Sequence, residues 1–302
     1  MDDDPAEAFR RALVDAGVVV ETGVDGVYGR SSAYEGVVLG LQQLVTRSGV
    51  DQNAVAIHFP PVMARHVFER TDYLRSFPDL TGSVHTFVGD DRQHAALLAL
   101  LDAGEDWSRA LEPSEMVLRP AACHPLYPMC AGQLPDGGRR FEVHGWCFRH
   151  EPSLDPARMQ AFRMHEYVYV GDPGPATSHR DLWVERGSQM LSDLGLEVQV
   201  VVASDPFFGR AGKMLASSQR EQELKLEIVT PITSENRPTA VMSANCHEDH
   251  FGVAFGIYSA KGAVAHSSCI GFGLDRIALA LLRTHGVETG RWPSALRDRL
   301  WK

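Results

Sequence analysis

The stretch from Phe141 to Val170, FEVHGWCFRHEPSLDPARMQAFRMHEYVYV, constrains the fold more than any other part of the chain. It reads as two strands joined by a polar loop. Strand side chains alternate between faces with a period of two. Phe141, Val143, Gly145, Cys147, Arg149 and Glu151 therefore share a face. After the loop at Pro152–Ala161, Phe162, Met164, Glu166, Val168 and Val170 share one as well. A hairpin brings Arg149, Glu151, Phe162 and Glu166 to the same side. The loop holds Pro152, Ser153, Asp155 and Pro156 as turn formers, with Arg158 among them, as a loop that grips an anion requires.

The rest of the chain supplies more strands and helices, irregularly spaced. Ala6–Ala16 has the pattern of a short amphipathic helix, with Gly17 as its stop. Val18–Tyr28 suggests a strand pair around Asp25-Gly26. Tyr34–Arg47 is predicted helical, with Val37, Val38, Leu41, Leu44 and Val45 on one stripe. An apolar strand, Ala54–Phe59, ends in Pro60-Pro61. Asp91–Leu101 is a further helix and Glu115–Arg119 a further strand. Thr177–Gly195 reads as a helix capped by Ser178, followed by a strand at Leu196–Ala203. Arg210–Glu223 is a polar, helical insert, and Leu224–Val229 a strand with Lys225, Glu227 and Val229 on one face. A strand–helix–strand passage spans Met242 to Tyr258. The lack of regular βαβ alternation predicts an antiparallel sheet in an α+β fold.

A chain of 302 residues, 44% hydrophobic and 23% charged, has the composition of a soluble globular protein. The net charge of −10 counts against an extended nucleic-acid surface, although a local basic patch is compatible with it. The acidic start MDDDPAEAF is unlike a signal peptide, and no apolar run is long enough to span a membrane. Five scattered cysteines fit reduced thiols in a cytoplasmic enzyme.

F-R-x-E, a loop, then R-x-x-x-F-x-x-x-E resembles motif 2 of the class II aminoacyl-tRNA synthetases. Ile270–Leu282, IGFGLDRIALALL, resembles their motif 3. The helix, strand and Pro around Tyr34–Pro61 resemble motif 1, which pairs catalytic domains as dimers. Val241–Gly256, VMSANCHEDHFGVAFG, is similar to a segment of seryl-tRNA synthetases. The chain shows no long N-terminal helical arm, and that combination resembles the amino acid:[carrier protein] ligases. These are truncated seryl-type homologues that load phosphopantetheine instead of tRNA. The resemblance covers the chain from about Tyr34 onward. It implies a single catalytic domain over 1–302, with an antiparallel sheet flanked by helices.

The resemblance also implies a reaction and its residues. ATP and a small amino acid, with glycine or alanine favoured, give an aminoacyl-adenylate. The aminoacyl group then passes to the phosphopantetheine thiol of a carrier protein. Arg149 is expected on the α-phosphate and the amino-acid carboxylate. Arg158 and Arg276 are expected on the distal phosphates, with Phe162 stacked on adenine and Glu151 accepting from its amino group. Met159, Lys225 and the stretch Ala240, Val241, Met242 and Ser243 fall near ATP. The Glu that supports Mg²⁺ in seryl-tRNA synthetases aligns with Pro238, which leaves Glu227 as first choice for that ion, or mainly phosphate and water ligands. Zinc, held by Cys, Glu and Cys, captures the substrate amino group in this family. Glu166 and Cys269 stand at two of those positions. The first ligand is Cys123, which overlays a substrate-binding Glu, with Cys130 in reserve. Cys147 reads as a small core residue, and Cys246-His247-x-x-His250 as structural or solvated rather than a second metal site.

The partner surface is expected on the Arg210–Glu223 insert. On a helix, Lys213 and Arg220 fall roughly 20° apart, and Arg210 widens the arc to roughly 80°. That face suits an acidic carrier protein; an ordinary solvated face has the same pattern. The rival readings are a seryl-type synthetase acting on tRNA and a non-catalytic paralogue. The absent arm and the acidic charge count against the first. The presence of Arg149, Arg158 and Arg276 counts against the second.

Overall fold

The computed structural model describes residues 4–203 and 223–302. The first helix, α1 (Pro5–Asp15), is capped by the Asp4 carboxylate, which accepts from the Ala6 N–H at 3.1 Å. It stops at Gly17, whose φ of 64° suits a residue without Cβ. A strand pair follows, β1 (Val19–Glu21) and β2 (Tyr28–Arg30). The Ser31 hydroxyl caps α2 (Ser32–Ser48) by accepting from the Tyr34 N–H. Val37, Val38, Leu41 and Val45 of the expected stripe are fully covered, and Leu44 packs at their edge.

Strand β3 (Val55–His58) joins the main sheet, while β4 (Val62–Ala64) starts a smaller one. Short helices α3 (Arg65–Glu69) and α4 (Tyr73–Ser76) lead to β5 (Ser83–Thr86), α5 (Asp91–Asp102) and β6 (Glu112–Leu118). β7 (Gly132–Gln133) is a short bridge to a later segment. The hairpin read from sequence is β8 (Arg139–Phe148) and β9 (Ala161–Gly171). After it come α6 (Pro173–Asp193), β10 (Gln199–Val202), β11 (Lys225–Thr230) and β12 (Thr239–Glu248). The chain ends with α7 (His250–Phe255), β13 (Ile257–Tyr258), β14 (His266–Gly273), α8 (Leu274–His285) and α9 (Ser294–Trp301).

The seven-stranded sheet runs β10-β11-β12-β14-β9-β8-β3. Every pairing is antiparallel except the edge pair of β3 and β8. The register aligns residues into rows that cross the sheet. Glu227, Ser243, Gly271, Glu166 and Val143 form one row. The next row on that face holds Lys225, Asn245, Cys269, Val168 and Phe141. Ile228, Met242, Phe272, His165 and His144 form a row on the opposite face. That back face is covered by α2, α6 and α8, where Trp183 stacks on Tyr167 at 4.1 Å. The front face packs a second core, with Leu126, Tyr127 and Phe251, and leaves a cleft beside it.

One local expectation is corrected. Helix α6 begins at Pro173, not Thr177, with Asp172 rather than Ser178 at its cap position. Pro in the first helical turn loses no hydrogen bond, so the Pro-Gly-Pro run opens the helix instead of preceding it. The expected alternation of Lys225, Glu227 and Val229 along β11 is kept: its register with β10 is regular through Val229, and the extra residue of the bulge opposite Ile228 and Val229 is Val241 on β12. The insert carrying Arg210, Lys213 and Arg220 lies outside the described residues. No helix among those described is long and apolar enough to cross a membrane.

Candidate active site

The front-face cleft has a volume of about 630 Å³. Its first end is built by the tips of β8 and β9. Regular pairing of β8 stops at Phe148, but the Arg149 N–H still donates to Gln160 O at 2.9 Å. The loop is shaped by its own turn side chains: Ser153 Oγ accepts from Asp155 N–H, and Asp155 Oδ1 from Ala157 N–H. Arg149 Nε donates to Pro120 O at 3.2 Å, and its guanidinium lies 5.5 Å from the Phe162 ring centre. Arg276, in the first turn of α8, donates to Ala157 O at 2.8 Å and Ala240 O at 3.0 Å. Burial and the nearby Arg149 charge pull the Arg276 pKa below its ordinary value.

Glu151, Met159 and Phe162 line this end, as do Lys225 and Glu227, whose side chains pair at 3.1 Å. Arg158 stands apart from the lining residues. It sits at the rim, 56% exposed, and pairs with Glu151 at 3.2 Å. Ala240, Val241 and Ser243 border the cleft. Met242 borders the cleft with them. It stands in the back-face row, and its thioether packs on Gly187 of α6, so only its backbone is turned to the cleft. Gly271 keeps the floor open, since a Cβ there would meet Met164 Cε at 2.5 Å.

The second end holds Cys123, Glu166 and Cys269, with their donor atoms within 4.8 Å of one another. Glu166 on β9 and Cys269 on β14 come together because they are diagonal neighbours on adjacent strands of one face. Cys123 arrives from the turn after β6. That turn is held by the fully buried Arg119, which donates to Trp146 O at 2.9 Å and 3.2 Å. Glu166 accepts the N–H groups of Ala122 and Cys123 at 2.8 Å and 2.9 Å. Cys269 Sγ lies 3.2 Å from Glu166 Oε2 and 3.6 Å from Cys123 Sγ. The hydrogen bond from Cys269 lowers the Cys123 pKa, but burial and the Glu166 charge leave it raised. Cys269 is pushed well up by its bond to Cys123, by burial and by the same carboxylate.

Two thiols and an anchored carboxylate, with space in the cleft beside them, fit a tetrahedral zinc ion with one open position. Cys130 is buried in the second core and does not line the cleft, so the geometry selects Cys123. Cys147 is buried there too, as expected. Among the described residues, Cys246, His247 and His250 do not form a three-donor group. His247 bonds Ser267 Oγ at 3.1 Å and packs edge-on against Phe251.

The sequence reading passes over a carboxylate one position before Arg276. Asp275 is 1% exposed and gathers Arg30, Tyr34 and Arg163. Its signal is a charged residue opening an otherwise apolar helix face.

No family model matches the chain. It is 47% identical to amino acid--[acyl-carrier-protein] ligase 1 of Bradyrhizobium diazoefficiens, over 92% of this chain and 86% of that protein. Ligase 2 of the same organism is 45% identical, over 93% and 84%. The type-2 serine--tRNA ligase of Methanopyrus kandleri is 30% identical over 61% of this chain and 37% of that protein. Among solved structures, M. kandleri seryl-tRNA synthetase in complex with A. aeolicus tRNASec superposes with a TM-score of 0.81 at 24% identity. That match covers 99% of this chain and 60% of that one. Prolyl-tRNA synthetase of Giardia lamblia, in complex with prolyl-adenylate, gives 0.72 at 15% identity, over 97% of this chain and 55% of that one. These neighbours establish the class II synthetase fold, and the near relatives establish that the chain belongs to the amino acid--[acyl-carrier-protein] ligases.

Proposed function

We propose that this ligase activates glycine or alanine with ATP as an aminoacyl-adenylate and transfers the aminoacyl group to the phosphopantetheine thiol of a carrier protein. The observation that carries the reading is one cleft with a cationic end at Arg149 and Arg276 and a thiol–carboxylate end at Cys123, Glu166 and Cys269. The two ends match the two parts of an aminoacyl-adenylate. The Bradyrhizobium relatives' name supplies the carrier protein as acceptor.

In the first step an amino-acid carboxylate oxygen attacks the ATP α-phosphorus, and pyrophosphate leaves. Both reactants are anionic, so Arg149 must bind both and lower their repulsion. Phe162 stacks on the adenine, and Glu151 accepts from its amino group. Arg276, with Arg158 at the rim, holds the distal phosphates, while Lys225, Ser243 and the backbone of Ala240 to Met242 line the nucleotide. Glu227 offers a carboxylate to the Mg²⁺ that accompanies ATP. Cys123, Glu166 and Cys269 would hold zinc, which when bound supplies a Lewis acid for the substrate amino group. In the second step the carrier thiolate attacks the carbonyl carbon and AMP leaves.

The edge strand β3, with Val55 58% exposed, and the 54% exposed Leu39 of α2 support a homodimer formed through the motif 1 elements. Five free cysteines support a cytoplasmic enzyme.

The test is ATP–pyrophosphate exchange with each of the twenty amino acids in excess Mg²⁺, with and without a zinc-selective chelator. Transfer of the radiolabelled amino acid is then offered to carrier protein and to tRNA. Exchange with glycine or alanine that the chelator abolishes, and label on the carrier, is the expected result. Label on tRNA instead would overturn the acceptor, and no exchange with any amino acid would overturn the activity.

A further inference from the structure

We infer that Asp275 is a positioning residue that sets the two walls of the nucleotide end, Phe162 and Arg276, relative to each other. The inference rests on the ATP-binding reading above.

Strand β14 pairs with β9 only as far as Gly273 opposite Met164. There the chain turns into α8, and β9 runs on toward Phe162 without a partner on that side. Asp275 Oδ2 takes up the exposed backbone donor, accepting the Arg163 N–H at 2.6 Å. A side-chain carboxylate thus replaces the missing strand. The same group accepts from Arg163 Nη2 at 2.8 Å and Tyr34 Oη at 3.0 Å, and it forms an ion pair with Arg30, whose Nε lies 3.2 Å away. Arg163 also pairs with Glu35 of α2. The guanidinium groups of Arg30 and Arg163 each lie 4.7 Å from the Trp146 ring.

This arrangement puts one fixed anion a single peptide away from each wall. Arg163 follows Phe162 in β9, and Asp275 precedes Arg276 in α8. Several donors converge on its two oxygens, so a carboxylate satisfies the site where an amide cannot. Asn at this position offers one acceptor oxygen, loses the charge and turns an NH₂ group toward cations. The Arg163 N–H then loosens, and both Phe162 and Arg276 lose their reference.

The test compares calorimetric dissociation constants for ATP and AMP in the wild type, Arg276→Ala, Phe162→Ala and Asp275→Asn, with zinc content and Tm alongside. AMP lacks the distal phosphates, so Arg276→Ala weakens ATP and spares AMP, whereas Phe162→Ala weakens both. Asp275→Asn is expected to weaken both ATP and AMP, by about 10- to 100-fold, the equivalent of one charged hydrogen bond. Its zinc content stays at the wild-type level. Wild-type affinities in Asp275→Asn, whatever its Tm, would show a merely structural residue and overturn the inference. Loss of ATP binding alone would overturn the claim on Phe162. Asp275→Glu keeps the charge but lengthens its reach. If Asp275→Asn does not fold, Asp275→Glu decides by the same criterion, with a smaller loss for both nucleotides expected. A wild type that binds neither nucleotide refutes the functional reading instead, before any variant is compared.

Discussion

Replacing Glu166 with Gln tests the thiol–carboxylate end most directly. The carboxylate accepts two backbone N–H groups, from Ala122 at 2.8 Å and Cys123 at 2.9 Å, and faces Cys269 Sγ at 3.2 Å. Gln has one acceptor oxygen. Its NH₂ group must stand either at Oε1, against the Ala122 N–H, or at Oε2, against the Cys123 N–H and the sulfur, so at least one hydrogen bond is lost and one buried donor is stranded. Hydrogen bonds to a charged acceptor contribute about 1.5–3 kcal/mol, and a stranded donor costs about 1–3 kcal/mol. These overlap, which puts the loss at about 2–4 kcal/mol. Without metal the wild-type carboxylate carries a desolvation cost that Gln lacks, so the loss is smaller there. With zinc present, Gln also removes an anionic ligand, and affinity falls by about 100-fold or more, beyond what outer partners of a metal site usually cost. The expected result is zinc near one per chain in the wild type and well below that in Glu166→Gln. The fall in Tm is larger for zinc-loaded protein than for chelated protein. A domain of about this size loses about 2–4 °C per kcal/mol, so the zinc-loaded difference is several degrees. Full zinc content in Glu166→Gln, with the same Tm difference with and without chelator, would refute the assignment of Glu166 as a ligand.

Three further predictions follow from the same geometry. Arg149→Ala removes the cation shared by the two reacting anions, and exchange falls by about 100-fold or more with Tm near the wild-type value; normal exchange in the folded variant would remove Arg149 from the reaction. Cys123→Ser loses zinc while Cys130→Ser keeps it, measured as metal content, and the reverse pattern would move the ligand to Cys130. His179 is buried against Ser268 Oγ at 3.0 Å, and burial lowers its pKa from 6.5 to about 3. Its neutral form is favoured in the fold, so its contribution is whole above pH 6.5 and is lost as pH falls from 6.5 toward 3. At pH 5 the loss is about 2 kcal/mol, so urea unfolding of His179→Gln should depend less on pH between 7.5 and 5 than that of the wild type, and an equal dependence would contradict this.

Much of the site was legible before any coordinates. The hairpin's period-two alternation put Phe162, Met164 and Glu166 on one face with Cys147, Gly145 and Val143, and the observed register pairs them in that order. A helix end was legible where a Gly stood at the boundary, as at Gly17. The start of α6 was not, because Pro173-Gly174-Pro175 is both a loop composition and a permitted first helical turn.

Sequence alone determined the strand faces, the helix stripes and the residue types available to the cleft, since these depend on local geometry. Three features waited for the tertiary structure. Glu166 meets Cys269 because β9 and β14 are neighbours in one register, and no local pattern specifies which strands pair. Cys123 is selected over Cys130 by a turn anchored through the buried Arg119 to β8, across 27 residues of chain. Asp275 binds the Arg163 N–H because β14 ends just where β9 still has a donor to satisfy. In each case the deciding contact joins segments far apart in the chain, and only the packed sheet brings them within hydrogen-bonding reach.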